Sequence, residues 1–195
     1  MSENSDEIKK NGKVKNSEHR FFGHFKSKFE KKKMPKKMPK KILMVCLGNI
    51  CRSPIAEAVM QDTINKAGLG GEWKVDSAAI GNWHRGNPPD LRALNTMRKH
   101  GLSYSNQARQ IKSKDFHDFD YIFGMDEENM TDIRGCAPKV CKAKILLLGD
   151  FGLDKSERII EDPYFQRGDA GFEKAYQQCV VACDAFLQMA LADKI

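Results

Sequence analysis

Residues 40–54, KKILMVCLGNICRSP, pass from two lysines through an unbroken apolar segment into a short glycine-containing loop. The apolar segment Ile42–Leu47 is typical of a strand that is buried on both faces of a parallel sheet. After the loop, Ser53 and Pro54 suit the N-cap and the first position of a helix. The stretch therefore predicts a strand, a loop and a helix in succession, which is the repeating unit of α/β proteins.

The alternation of strand and helix patterns continues along the chain. Three further segments, Lys74–Ala79, Tyr121–Met125 and Ala143–Leu148, are predicted to form strands. Helical patterns lie at 53–67, 88–100 and 127–135. A last helix carries one apolar stripe, made of Phe172, Tyr176, Cys179, Val180, Cys183, Phe186, Leu187 and Ala190. We therefore predict an α/β fold, a doubly wound four-stranded parallel sheet with helices on both faces.

The positive charge of the chain is confined to its N-terminal part. The 195 residues carry a formal net charge of +7. Residues 1–40 contain 13 basic and 5 acidic side chains, a net of +8, so residues 41–195 carry −1. Together with the patterning, this predicts a basic, disordered tail at 1–40 and one domain at 41–195. Because the domain is nearly neutral, we do not expect it to bind nucleic acid.

The tail leaves more than one interpretation open. The four phenylalanines between Phe21 and Phe29 recur at near-helical spacing among lysines, which is typical of a basic amphipathic helix for an anionic membrane or a protein partner. The stretch Lys31–Lys41 has the composition of a nuclear-import or nucleic-acid-binding patch. The alternative is a solvated extension without structure.

Composition disfavours several other classes of protein. The chain has no apolar run of about 18 residues that could span a membrane, and no secretory signal. Its six cysteines therefore predict reduced thiols in the cytoplasm. Cys136 and Cys141 lack zinc-ligand spacing, and Cys179 and Cys183 fall on the apolar side of the last helix. We expect a cytoplasmic monomer that requires neither a metal nor a cofactor.

The loop of residues 46–53 carries the side chains that could act in catalysis. It lacks the Gly-Lys-Ser/Thr ending of a nucleotide P-loop and the glycine spacing of a dinucleotide site. It places Cys46 at a strand end and Arg52 at a helix start, where N–H groups and the helix dipole bind anions and favour a thiolate. The planar guanidinium of Arg52 suits a tetrahedral oxyanion. We interpret Cys46 as a nucleophile for phosphoryl transfer.

A phosphatase also needs a general acid to protonate the leaving oxygen. Asp162 is the best candidate, because Glu161–Phe165 follows the fourth strand and precedes the last helix. Its neighbour Pro163 restricts Asp162 to an extended or turn conformation. The alternative is a turn without chemistry.

Seven segments, in one colinear order, carry a family resemblance. They are 45–54, 75–78, 95–101, 119–122, 125–127, 160–164 and 176–179. Together they closely resemble the low-molecular-weight protein tyrosine phosphatases of the eukaryotic type, over 41–190 and not over the tail. The resemblance implies hydrolysis of phosphotyrosine and small aryl phosphates, including acid phosphatase activity, with phosphotyrosine proteins as partners.

The resemblance also implies the catalytic roles. Cys46 forms a cysteinyl-phosphate, Arg52 binds the phosphoryl oxygens, and Asp162 is the acid of the first step and the base of the second. The loop amides that share in phosphate binding belong to Leu47, Gly48, Asn49, Ile50, Cys51 and Arg52.

Around these residues the resemblance implies a supporting network. Ser53 hydrogen-bonds the Cys46 sulfur and eases its departure. Asn49, Ser77 and His100 hold the loop in shape.

The resemblance extends to redox chemistry and to substrate selection. Cys51 is the implied partner of Cys46 in a reversible disulfide that prevents irreversible oxidation. Trp83 and Tyr164 are the implied walls of a deep slot that favours phosphotyrosine over phosphoserine. At Phe165 the sequence departs from the second tyrosine that many members carry.

Two alternatives remain open at this point. An arsenate reductase uses the same fold and loop, but it needs resolving cysteines that reach Cys46, and Cys136 and Cys141 are only nominal candidates for that role. A non-catalytic adaptor could trap phosphotyrosine, although Cys46, Arg52 and Asp162 are all present. Asp126 also occupies a family position, without an assigned role.

Overall fold

The computed structural model describes residues 38–195, where helices cover both faces of a four-stranded parallel sheet. Of the predicted tail, residues 1–37 with the Phe21–Phe29 segment lie outside the described residues. The strands are β1 (Lys40–Cys46), β2 (Trp73–Ala79), β3 (Tyr121–Gly124) and β4 (Lys144–Leu147). The helices are α1 (Arg52–Lys66), α2 (Leu91–Lys99), α3 (Asp115–Asp118), α4 (Glu127–Cys136) and α5 (Ala170–Leu191), with a 3₁₀ turn at Leu148–Asp150.

The strand order β2-β1-β3-β4, with every pair parallel, confirms the predicted doubly wound sheet. Ile42 of β1 lies beside Val75 of β2 and Tyr121 of β3, and Tyr121 lies beside Lys144 of β4. Because all strands run in the same direction, their carboxyl ends meet at one edge of the sheet. In open α/β sheets this edge is where ligands bind.

The apolar run of β1 is explained by burial on both faces. Ile42 and Met44 point into the core beneath α1, α2 and α5, whereas Leu43 and Val45 point into the smaller core beneath α3 and α4. All four side chains are fully buried. Successive strand residues face opposite sides, so a central strand covered on both sides must be apolar throughout.

Two predicted helix starts were wrong, for local reasons. The N-cap of α1 is Cys51, without a side-chain cap, and Ser53 lies inside the helix with its hydroxyl in buried hydrogen bonds. The helix predicted from Pro88 begins only at Leu91, because Asp90 caps it by accepting a hydrogen bond from the Arg92 N–H. At α2 the capping side chain of Asp90 thus sets the start more strongly than proline does, whereas α1 begins without a side-chain cap.

The apolar stripe predicted for α5 is correct except at Val180, which is 36% exposed. Val180 follows Cys179 by one position and therefore lies about 100° around the helix, away from the buried face. The buried face is completed by Ala175, Gln178 and Ala182 instead. Within residues 38–195, no helix combines the length and apolarity needed to cross a membrane.

Candidate active site

The loop after β1 wraps around the sulfur of Cys46. Cys46 ends β1 and is 2% exposed. Asn49 has φ of 55°, in the left-handed region that asparagine tolerates better than most residues. This conformation lets the Asn49 N–H donate to the Cys46 sulfur at 3.3 Å. The loop therefore curls back on its own cysteine, and α1 begins directly behind it at Arg52.

Three of the four predicted supporting residues meet at this loop. The Ser53 hydroxyl lies 3.0 Å from the Cys46 sulfur. The Asn49 side-chain amide donates to Ser53 Oγ at 2.9 Å and to Ser77 Oγ at 2.8 Å. Ser77 comes from β2, so the network ties the loop to the neighbouring strand.

The fourth predicted residue, His100, is not part of this network, and that prediction was wrong. His100 is the C-cap of α2, and its Nε2 pairs with Glu173 of α5 at 2.7 Å. Its ring stacks on Tyr176 at 3.9 Å. His100 thus joins α2 to α5, since the end of α2 faces α5 and not the loop.

The place predicted for His100 is taken by Glu57, Tyr104 and Asn106. Glu57 Oε2 accepts from the Ser77 and Tyr104 hydroxyls, both at 2.6 Å, and Oε1 accepts from the Asn106 amide at 2.6 Å. Burial raises the pKa of Glu57, against the opposing effect of these hydrogen bonds. A carboxylate among the apolar residues of α1 was a sequence signal for such a network, because buried acids require partners.

Asn49 is also held from its other side. Its Oδ1 accepts the backbone N–H of Arg109 at 3.0 Å. The Arg109 guanidinium is fixed in turn between Asp76 at 2.8 Å and Asp115 at 2.9 Å. The strained backbone of Asn49 is therefore fixed from both ends of its side chain, which is what a left-handed residue needs to persist.

Arg52 is buried and held by two carboxylates. Its Nη1 donates to Asp126 and, at 3.1 Å, to the carbonyl of Ile160, while Nη2 donates to Asp162 at 2.5 Å. Burial alone would lower the pKa of Arg52, but the negative charges of Cys46, Asp162 and Asp126 raise it above its usual value. The guanidinium consequently stays charged, and Asp126 acquires a role as its anchor.

The Nε of Arg52 is a buried donor without a hydrogen-bond partner among the described residues. Arg52 is only 1% exposed. Buried N–H groups are nearly always paired, and an exception at a cleft is characteristic of a ligand site. Since Nε and Nη form the planar fork that grips two oxygens of an oxyanion, this arginine suits a phosphoryl group.

The loop that carries Asp162 is clamped to α2. Asp162 Oδ1 accepts the backbone N–H of Tyr164 at 3.0 Å, which stabilises the turn after Asp162. Arg92 donates to the carbonyls of Tyr164 at 3.0 Å and Gln166 at 2.9 Å. Arg92 is itself paired with Asp90. The side chain of Asp162 remains 34% exposed, so it can contact both Arg52 and a bound ligand.

A cavity of about 170 Å³ opens over Cys46 at the carboxyl edge of the sheet. Its walls are mainly apolar and aromatic. They are formed by Cys46, Leu47, Gly48, Ile50, Cys51, Trp83, His84, Asp162, Tyr164 and Phe165. Both predicted wall residues are present, with Trp83 61% and Tyr164 39% exposed. The cavity is therefore a slot with an aromatic rim above a buried thiol.

Gly48 lets His84 approach the floor of this slot. A Cβ at Gly48 would lie 3.0 Å from the His84 ring. Phe165 is 92% exposed at the rim, and its ring packs edge-on against Tyr164 at 4.9 Å.

The remaining cysteines occupy different environments. Cys51 is a free, buried thiol that lines the slot with Cys46. Burial, followed by the negative charge of Cys46, raises the pKa of Cys51 well above its usual value. Cys136 ends α4, and Cys141 donates to the Ala143 carbonyl just before β4. Both lie towards the amino edge of the sheet, opposite the end that carries Cys46.

No group of three or more His, Cys, Asp or Glu side chains within residues 38–195 is arranged to hold a metal ion. The donors next to Cys46 are the Asn49 N–H and the start of α1, which carries the Arg52 guanidinium, and groups of this kind bind anions.

Comparison with known proteins gives the same family over nearly all of the described residues. The family model of the low molecular weight phosphotyrosine protein phosphatases matches residues 41–194. Low molecular weight phosphotyrosine protein phosphatase 1 of Drosophila melanogaster is 63% identical over 147 residues, covering 75% of this chain and 94% of that protein. The crystal structure of Primo-1 matches with a TM-score of 0.76 and 62% identity, over 78% of this chain and 99% of that one.

A further solved structure shares the fold but has a different name. It is that of DARP, a Drosophila arginine phosphatase, with a TM-score of 0.74 and 41% identity. The match covers 77% of this chain and 97% of that chain. Proteins of this fold therefore differ in the substrate for which they are named, so the residues of the slot, and not the fold alone, determine the substrate class.

Proposed function

The chain belongs to the low molecular weight phosphotyrosine protein phosphatase family, and on that premise we propose that it hydrolyses phosphotyrosine and small aryl phosphates through a cysteinyl-phosphate. The observation that carries the proposal is the pairing of a buried thiol, Cys46, with a buried arginine whose Nε has no partner among the described residues. A thiol nucleophile, together with donors that bind the phosphoryl oxygens, can carry out phosphoryl transfer without a metal.

In the first step, the Cys46 sulfur attacks phosphorus while loop N–H groups and Arg52 bind the non-bridging oxygens. The ester bond breaks, and Asp162 gives its proton to the leaving phenolic oxygen. Arg52 Nη2 already lies 2.5 Å from Asp162, so one guanidinium orients both the phosphoryl group and the acid. Asp126 holds the other side of that guanidinium and keeps its plane fixed.

In the second step, water attacks the cysteinyl-phosphate and Asp162 accepts the proton from that water. The phosphorus–sulfur bond breaks, and the electron pair returns to Cys46 as a thiolate. Ser53 lies 3.0 Å from this sulfur and can donate a hydrogen bond to it as charge develops. Inorganic phosphate leaves and the starting state is restored.

The slot supports an aryl ester as substrate. Its thiol is 2% exposed at the base, and Trp83, Tyr164 and Phe165 form the rim. A phenyl ring places its phosphate further from the peptide backbone than a serine side chain does, and its faces can pack against aromatic walls. Among the described residues Asp162 is the one carboxylate that lines the slot, so a cationic phosphoguanidino group finds little charge complementarity there.

The proposal is tested by steady-state hydrolysis with EDTA present. We expect turnover of phosphotyrosine peptides and p-nitrophenyl phosphate, with kcat/KM for phosphoserine and phosphoarginine peptides lower by about 100-fold or more. A faster rate with phosphoarginine would instead assign the chain an arginine phosphatase activity, the activity for which DARP is named. Absence of turnover on every phosphate ester, together with tight phosphotyrosine binding, would support the adaptor alternative.

The arsenate reductase alternative has less support. That chemistry needs a second thiol that reaches Cys46 after reduction of arsenate. Cys136 and Cys141 lie towards the opposite edge of the sheet from Cys46, and Cys51 is the described cysteine that shares its slot. Thiol-dependent reduction of arsenate by the wild-type chain would reinstate this alternative.

We also propose reversible inactivation by peroxide. The Cys46 thiolate attacks peroxide to give a sulfenic acid and hydroxide, and the Cys51 thiol then attacks the sulfenic sulfur, releasing water and forming a disulfide. We expect Cys51→Ser to recover far less activity than the wild type when thiol is added after peroxide. Recovery is measured by p-nitrophenyl phosphate hydrolysis.

The matched control for this experiment is Cys136→Ser, an exposed cysteine outside the slot. It should recover like the wild type. Equal recovery of Cys51→Ser and wild type would contradict the disulfide.

A further inference from the structure

Tyr104 and Glu57 form a hydrogen-bonded pair behind the phosphate-binding loop that the catalytic steps above do not use. The Tyr104 hydroxyl donates to Glu57 Oε2 at 2.6 Å and lies 3.1 Å from Ser77 Oγ. Glu57 is 6% exposed, so its carboxylate depends on protein donors. Tyr104 comes from the segment after α2, whereas Glu57 belongs to α1 and Ser77 to β2. The pair thus joins three parts of the fold.

The donor and the acceptor of each hydrogen bond in the network can be assigned from two fixed groups, the Glu57 carboxylate and the Arg109 backbone N–H. Glu57 as a carboxylate only accepts, so the Ser77 proton points to it and leaves the Ser77 lone pairs for Asn49. Asn49 Oδ1 is occupied by the Arg109 N–H, so the amide nitrogen must face the two serines. Ser53 Oγ accepts from that nitrogen, so its own proton points to one of two acceptors, the Cys46 sulfur at 3.0 Å or the Ala78 carbonyl at 3.5 Å, and the sulfur is the nearer.

We propose that Tyr104 is a positioning residue: with Glu57 it fixes the direction of this chain of hydrogen bonds, and thereby the donation from Ser53 to the Cys46 thiolate. The proposal rests on the proposed function, in which that thiolate is both nucleophile and leaving group. Without the Tyr104 hydroxyl, Glu57 loses one of its three donors and no longer holds Ser77 in one orientation. As a result, the hydrogen bond from Ser53 that stabilises the Cys46 thiolate is weakened, although Tyr104 lies several hydrogen bonds away from the sulfur.

Two further observations fit a positioning role. Burial, followed by the charge of Glu57, raises the pKa of Tyr104, so its hydroxyl stays protonated as a donor. A cavity of about 450 Å³ borders Glu57, Tyr104 and Asn106 on the side away from the loop. Water from this cavity can solvate Glu57 when the phenol oxygen is removed, so the variant should still fold. Water has no fixed orientation there, and the direction of the network is lost.

The test is Tyr104→Phe, which removes one oxygen and keeps the ring. We expect kcat for p-nitrophenyl phosphate to fall about fivefold to tenfold, since one hydrogen bond to a charged group is being lost. KM should stay within about twofold, because the phosphate cradle itself is intact. We also expect slower alkylation of Cys46 by iodoacetate at one mildly acidic pH, about fivefold by mass spectrometry of the Cys46 peptide.

Tyr176→Phe is the matched control, because this tyrosine stacks on His100 away from the loop and its hydroxyl has no part in the network. It should leave kcat and the alkylation rate at wild-type values. Glu57→Gln is the second variant, and it should lower both quantities at least as much as Tyr104→Phe, since its amide offers Ser77 or Asn106 a donor in place of an acceptor.

Alkylation separates the possible outcomes from one another. An unchanged alkylation rate in Tyr104→Phe overturns the proposal, whether kcat is retained or falls together with the melting temperature. Because alkylation of Cys46 needs no phosphate ester, it still reports on Tyr104 if the wild type hydrolyses none. In that case the proposed function fails, and the alkylation rate of Cys46 alone tests whether Tyr104 is coupled to the thiolate.

Discussion

Replacing Cys46 by serine is expected to lower kcat for p-nitrophenyl phosphate by roughly 10⁴-fold or more, because the reaction loses its nucleophile. A serine hydroxyl in the same loop stays protonated at neutral pH, since loop N–H groups and a helix N-terminus cannot offset so high an intrinsic pKa. The neighbouring carboxylate, Asp162, is already committed to the leaving group. The rates are compared at saturating substrate with EDTA present.

The control is Cys141→Ser, which changes an exposed thiol at the other edge of the sheet and should keep kcat within about twofold. The Cys46→Ser protein should still bind phosphotyrosine peptide by calorimetry, because Arg52 and the loop amides are untouched. Retained turnover in Cys46→Ser would exclude the cysteinyl-phosphate. Loss of both turnover and binding would point to a collapsed loop and require circular dichroism and thermal melting to compare the folds.

The sheet could be predicted from the sequence because its signals are local and redundant. β1 is apolar at every position from Ile42 to Val45, and only burial on both faces explains such a run. α5 repeats its apolar positions over 22 residues, so one misplaced valine, Val180, did not change its assignment. By contrast, α3 is four residues long and contains too few positions for a period to be visible.

The first contacts of the site could also be predicted, because they lie within one loop. Cys46, Asn49, Arg52 and Ser53 are separated by at most seven positions, and the end of a buried strand fixes where they lie. His100 was misassigned because its partner depends on how α2 meets α5, and no short-range pattern encodes that contact.

The contacts that sequence reasoning missed join segments distant in the chain. Glu57 receives the Tyr104 hydroxyl from 47 positions away, and Arg92 clamps Tyr164 from 72 positions away. Considered alone, Arg92 is an ordinary arginine after a cap, and the apolar neighbours of Glu57 indicate that it needs partners without indicating which residues they are. Only the fold shows that Glu57 is almost fully buried and that Arg92 holds the loop of the general acid.

The distribution of charge explains why net charge was a poor guide to this site. The +7 of the whole chain arises from residues 1–40, and the domain is close to neutral. Within the domain, the guanidinium of Arg52 is surrounded by Asp126 and Asp162, so the phosphoryl group meets a cation already held in place. Binding then depends on orientation and on N–H groups, not on the bulk charge of the surface.

Replacing Asp162 by asparagine is expected to slow the reaction according to the leaving group. For a phosphotyrosine peptide, kcat/KM should fall by about 100-fold or more, because the phenolic oxygen of tyrosine leaves poorly without a proton. For p-nitrophenyl phosphate the loss should be about tenfold or less, since p-nitrophenolate is stable without protonation. The measured quantity is kcat/KM for each substrate, which reports the step that breaks the ester bond.

Asparagine is the informative substitution at this position because its one oxygen can take the place of Oδ2 and still accept from Arg52 Nη2, while its amide has no acidic proton. The Tyr164 N–H, which binds the other carboxylate oxygen, loses its acceptor. Glu161→Gln is the matched control, because it removes the adjacent, exposed carboxylate and should leave both substrates unaffected. If Asp162→Asn slowed both substrates equally, Asp162 would act by orienting Arg52 and not by proton transfer. A loss that grows as the leaving group worsens can arise only if Asp162 supplies the proton to the departing oxygen.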